Sequence, residues 1–120
     1  MLICQLRDMA APTRTPAAPS SHQWVTPEIE DLFEMLARLR SPDEVRSALR
    51  DLCTLGELET MAHRWRVAQL VDQGVSYQRI AQETGASTAT VTRVAYWLRH
   101  GEGGYRLALQ RLKNARSRSA

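Results

Sequence analysis

The stretch RIAQETGASTATVTRVAYWLR, Arg79–Arg99, sets five small residues, Ala86–Thr90, in a row directly after Gly85. Serine and threonine hydroxyls compete with the backbone for hydrogen bonds, so they cost propensity inside a helix but cap it at its start. Apolar residues flank them at helical spacing, with Ile80 and Ala81 before the glycine and Val91 and Val94 after it. This is the pattern two short helices need in order to cross at a tight turn. Gly85 takes the left-handed conformation that strains other residues. Ala81 is small enough for the second helix to pass over it, and Ile80, Val91 and Val94 fill the space between. Residues 76–99 therefore read as a helix-turn-helix.

In that motif the second helix lies in the major groove of double-stranded DNA with its N-terminal residues on base edges. The small residues then have a purpose: Ser87 or Thr88 caps the helix, and short side chains let its start reach the groove floor. Threonine hydroxyls and methyls can read base edges and thymine methyl groups. The predicted base-contacting residues are Ser87, Thr88, Ala89, Thr92 and, one turn on, Tyr96. Ser76, Gln78 and Arg79, at the start of the first helix, are placed on phosphates, and Arg93, beside the reading face, is placed with them.

The charge distribution agrees. Residues 1–73 hold eight basic and eleven acidic side chains, whereas residues 74–120 hold eight basic and only two acidic. A basic half on a mildly acidic one suits a scaffold that presents one face to a polyanion. With 120 residues, 24% of them charged and 43% hydrophobic, the chain fits one modest globular domain with tails. Cys4 and Cys53 imply no disulfide framework. His22, His63 and His100 have no ligand-like spacing, so no metal is expected. The acidic pairs Asp43-Glu44 and Glu57/Glu59 are first-turn charges favoured by the helix dipole. No Ser-His-Asp, Cys-His or phosphate-cradling glycine pattern occurs, so an enzyme is not expected. The N-terminal apolar run is too short for a signal peptide and no span approaches membrane length, which makes the cytoplasm the expected compartment.

The chain is expected to be all-α, with five or six short helices. Residues 1–25, with Pro12, Pro16 and Pro19 and no periodicity, read as a disordered arm. Thr26-Pro27 opens a first helix of roughly 26–40, with Ile29, Leu32, Phe33, Leu36 and Leu39 at helical spacing. Ser41-Pro42 opens a second, with Val45, Ala48, Leu49 and Leu52 on one face. Thr54-Leu55-Gly56-Glu57 is a capping box that starts a longer helix to about Asp72. Its apolar stripe is Leu58, Met61, Ala62, Trp65, Ala68 and Val71, and Gly74 ends it. After the reading helix, HGEGGY breaks the chain. Tyr105, Leu109 and Leu112 mark a last helix within a domain of 26–114, and residues 115–120 are left as a basic tail. Helices this short and apolar are expected to pair across a two-fold axis as a homodimer.

The segment MAHRWRVAQLVDQGVSYQRIAQETGASTATVTR, within Leu55 to about Leu98, resembles the trp repressor superfamily. The GASTAT-TRV run and the G-GGY pattern in HGEGGY are closest to its YerC/YecD group. The resemblance implies an intertwined all-helical homodimer that binds a two-fold symmetric operator. It also implies an effector pocket between scaffold and reading helix, in which Arg64 and Arg93 match the arginines that flank a bound tryptophan and Thr54 and Thr90 match its lining. Two positions depart from the pattern: Val94 stands in place of a glycine and Trp97 in place of a serine. Their added volume competes with a bound indole, so L-tryptophan is not expected as corepressor, and Trp97 either fills the slot itself or packs in the core. The function these features imply is sequence-specific, operator-directed transcriptional regulation, with repression as the expected sign. The alternative is a helical interaction module that docks on a protein partner such as the transcription machinery.

Overall fold

A computed structural model describes residues 22–119, and residues 1–21, where most of the predicted arm falls, lie outside them. Among the described residues there are six α-helices and no strand, as expected for an all-α chain: α1 (Pro27–Ala37), α2 (Pro42–Leu52), α3 (Leu55–Asp72), α4 (Tyr77–Thr84), α5 (Thr88–His100) and α6 (Gly104–Ser119). The chain sorts into two compact units, Met1–Val45 and Arg46–Ala120.

In the first unit, residues 22–25 are a turn rather than part of an arm. The Val25 N–H donates to the His22 carbonyl, and the Trp24 ring meets Phe33 edge-on at 6.0 Å, giving this short segment an apolar anchor. The Thr26 hydroxyl caps α1 by accepting from the Ile29 N–H at 3.2 Å. α1 stops at Ala37, three residues short of the predicted end, where the Arg38 N–H turns back to the Met35 and Leu36 carbonyls. Arg40 belongs to the next start instead: its N–H donates to Glu44 Oε1, while the Glu44 N–H donates to Ser41 Oγ. Neither α1 nor α2 buries a single residue completely.

The second unit has a core. The capping box of α3 is formed in both directions, with the Thr54 N–H donating to Glu57 Oε1 at 2.8 Å and the Glu57 N–H to Thr54 Oγ1 at 3.1 Å. The Thr54 N–H, and after it the Thr54 hydroxyl, favour the ionised carboxylate and hold the Glu57 pKa below its ordinary value of 4.5. A depressed carboxylate contributes stability above its unfolded pKa and loses it as pH falls through the folded one. The melting-temperature advantage over Glu57→Gln is therefore expected to be largest at neutral pH and to fade through and below pH 4.5. A pH-independent difference between the two proteins would refute that account.

Burial in α3 lies in its C-terminal half: Val67, Ala68, Leu70 and Val71 are buried, and Trp65 is half-buried. The predicted stripe was thus right at Ala68 and Val71, but Met61 is 43% exposed and Ala62 is also exposed. The reason is geometric, since α4 and α5 pack on the later turns of α3 and join Ile80, Val91, Val94, Ala95 and Leu98 to the same core. α6 adds Leu109, and Tyr105 stacks on Trp65 with ring planes 13° apart. α6 also runs through residues 115–119, which were expected as a tail. From Tyr105 onward its sequence has no glycine or proline to end it and is rich in Leu, Gln, Arg and Ala, which favour helix.

Candidate nucleic-acid interface

The crossing of α4 and α5 is built as the sequence demands. The Ser76 hydroxyl caps α4 by accepting from the Arg79 N–H. Gly85 sits at φ 76° and donates its N–H to the Ala81 carbonyl. Thr84 uses its hydroxyl twice, donating to the Ile80 carbonyl and accepting from the Ala86 N–H. The choice of cap on α5 falls to Ser87, whose Oγ accepts from the Thr90 N–H at 3.1 Å and donates to Thr90 Oγ1 at 3.0 Å. Ser87 is therefore largely committed to the cap, although it was placed on a base.

Thr88, Ala89, Thr92 and Tyr96 are exposed. Thr88, Thr92 and Tyr96 recur every four residues and so form one stripe along α5. The Thr92 hydroxyl donates to the Thr88 carbonyl at 2.9 Å, which leaves its methyl and lone pairs to face outward. Tyr96 is 55% exposed and lies over His100 with ring centroids 4.9 Å apart. At the start of α4, Ser76 and Gln78 are exposed, and Arg79 is held to Glu83 by a 2.9 Å ion pair. A surface pair of this kind contributes about 1 kcal/mol at most, so the guanidinium is easily redirected.

Arg93 is exposed at the border between that stripe and the neighbouring face of α5. With Thr90, Val94 and Trp97 it lines an open cleft of about 840 Å³ whose opposite wall on α3 includes Arg64. Five of the six residues assigned to an effector pocket thus meet in one place. Thr54 does not line it; its hydroxyl caps α3 instead. Trp97 does not plug the cleft either: it stands in the wall, 54% exposed and edge-on to Tyr96 at 5.7 Å. Glu59, Thr60 and His63 of α3 also line it, as does Tyr105 of α6. Their spacing along α3 puts them on one helix face with Arg64, but the approach of that face to α5 and α6 is a tertiary fact that no local pattern announces. Among the described residues no three His, Cys, Asp or Glu side chains gather as a metal site, and no helix is long and apolar enough to cross a membrane.

The family model described as Trp repressor protein matches residues 27–113. The chain belongs to the Trp repressor family. It is 38% identical over 93 residues to the Bacillus subtilis protein YerC, covering 78% of this chain and 89% of that one. It is 31% identical over 64 residues to a Trp operon repressor homolog of Chlamydia caviae, covering 52% of this chain and 63% of that protein. The crystal structure of a TrpR-like protein from Eubacterium eligens superposes with a TM-score of 0.71 at 34% identity, covering 78% of this chain and 96% of that one. The span matched by the Trp repressor family model contains the α4–α5 crossing, the exposed stripe and the whole cleft.

Proposed function

We propose that this protein is a sequence-specific, double-stranded-DNA-binding transcriptional regulator acting as a repressor, and that α5 reads the major groove through Thr88, Ala89, Thr92 and Tyr96. The observation that carries the reading is the α4–α5 crossing itself. It is locked by Gly85 and the buried Ile80, Val91 and Val94, so that the small-residue start of α5 projects from a fixed support. Ser76, Gln78, Arg79 and Arg93 supply phosphate contacts. Membership of a repressor family agrees with a non-enzymatic, cytoplasmic role.

The functional unit is a homodimer, and the operator correspondingly has two-fold symmetry with half-sites about one helical turn apart. The absence of buried residues in α1 and α2 supports the dimer, as does the exposure of Leu52 and Leu55. In the same reading no corepressor is required, because α5 is oriented by the chain's own core through Val91, Val94, Ala95 and Leu98.

Selection of bound sequences from random duplexes, with and without L-tryptophan, tests this. A two-fold motif enriched equally in both is the expected result. Enrichment only with tryptophan would restore the corepressor, and no enrichment would favour docking on a protein partner. Thr88→Ala and Thr92→Ala are each expected to relax preference at one position of the motif, at a cost of about 1–3 kcal/mol. Unchanged preference in both variants would remove the stripe from the reading face.

A further inference from the structure

We propose that Arg99, Arg106 and Lys113 form a second phosphate-binding surface, which takes the DNA backbone alongside the reading head. These residues line an open cleft of about 420 Å³ where the ends of α3 and α5 meet α6, and its floor is the apolar core. The inference rests on the reading of α4 and α5 as a DNA-binding unit and extends it to a helix outside that motif.

Two observations carry it. The first is that the cationic groups are held in place. Arg99 Nη1 donates to the Tyr77 hydroxyl at 3.0 Å, and Arg106 Nε donates to the Leu98 carbonyl at 3.0 Å. The second bond also satisfies one of the carbonyls that the end of α5 leaves without a helical partner. A guanidinium has five N–H donors in a planar fork, and each of these bonds uses one. Lys113 pairs with Asp72, the one carboxylate in the cleft, at 2.7 Å, a surface ion pair that an incoming phosphate can replace. Three cations on α5 and α6 thus face one carboxylate, and the two tethered guanidinium groups lose little side-chain entropy when an anion arrives.

The second observation is continuity. Tyr77 is the first residue of α4, between Ser76 and Gln78, so the Arg99 bond joins this cleft to the surface already assigned to phosphates. Beyond Arg106 and Lys113, α6 carries three further basic side chains, Arg111, Arg116 and Arg118, and no acidic one. An open cleft beside a basic helix fits a polyanion that passes over it better than a small molecule enclosed within it.

The test is fluorescence anisotropy with a labelled duplex carrying the selected site plus flanking sequence, across a series of salt concentrations. The Arg99→Gln/Lys113→Gln double variant is expected to bind on the order of 10-fold more weakly at every sequence. Its slope of log affinity against log salt should be smaller by about 4, two contacts being lost in each protomer of the dimer. Trimming the duplex to the bare site should erase that difference. Arg99→Lys keeps the charge without the fork and is expected to retain the wild-type slope. If it loses as much slope as Arg99→Gln, the effect is structural and the proposal falls. Wild-type affinity and slope in the double variant would overturn the proposal while Arg79→Ala and Thr88→Ala still reported on the reading head. Wild-type protein that bound no duplex at all would overturn both readings. A rise in melting temperature with inorganic phosphate alone, lost in Arg99→Gln, would assign the cleft to a free anion and also overturn it.

Discussion

Ile80→Ala is expected to destabilise the folded protein by about 2–5 kcal/mol. Ile80 is 0% exposed and is among the largest fully buried side chains of the described residues, together with Val67 and Val91. It stands on the shortest helix, α4, whose eight residues bury no other side chain. Only the half-buried Tyr77 is left to seat α4 when Ile80 is cut back. Helices of this length have little stability of their own in water and depend on packing. The loss includes both the transfer free energy of the removed methyl and methylene groups and the cavity left among α3, α4 and α5. For a domain this size the melting temperature should fall by on the order of 10 °C or more, measured at matched protein concentration because a dimer's stability depends on it. Gln78→Ala, exposed on the same helix, should change stability by less than about 0.5 kcal/mol. A loss at Ile80 below about 1 kcal/mol would mean that α4 is not seated on this core.

Much of the reading head was legible because its determinants are local. A glycine at a left-handed turn, a hydroxyl that caps three residues ahead, and apolar residues one turn apart are each read within a few positions. Gly85, Ser76 and the core residues Ile80, Val91 and Val94 accordingly fall where the sequence puts them. The capping box of Thr54 and Glu57 is local in the same sense. Periodicity, by contrast, does not say what covers an apolar face. Met61 and Val71 belong to one predicted stripe, yet of the two only Val71 joins the buried core. Composition also underestimated α6, since arginine and serine suggest a tail although arginine and alanine are good helix formers. The cleft with His63, Arg93 and Tyr105 was legible only in part. Family resemblance supplied Arg64, Thr90 and Arg93, whereas Glu59, His63 and Tyr105 enter through the packing of helices far apart in sequence.

Ala89→Glu is expected to weaken duplex binding by at least about 100-fold without loss of fold. Ala89 is exposed at the second position of α5, one residue beyond Thr88 and one turn before Thr92 and Arg93. The first turn of α5 holds no acidic residue. A glutamate there should strengthen the helix itself by about 0.3–1 kcal/mol, because a negative charge is attracted by the positive end of the dipole at the N-terminus. Stability and binding therefore move in opposite directions, and partial unfolding cannot account for a lost interaction. In the complex the new carboxylate would lie at the entrance to a groove lined by phosphates, where like charges brought together cost several kcal/mol. Each 1.4 kcal/mol is a factor of 10 in affinity, and a symmetric dimer incurs the penalty at both reading heads. Ala89→Gln has nearly the same shape without the charge, and it should lose only on the order of 10-fold while shifting the preferred bases. Anisotropy titrations at one salt concentration, paired with melting curves, separate these effects. If Ala89→Glu binds within about threefold of wild type, the start of α5 does not face DNA and the reading surface must lie elsewhere. If its melting temperature falls, the negative charge is not meeting the helix N-terminus, and Ser87 is not the cap from which the reading helix begins.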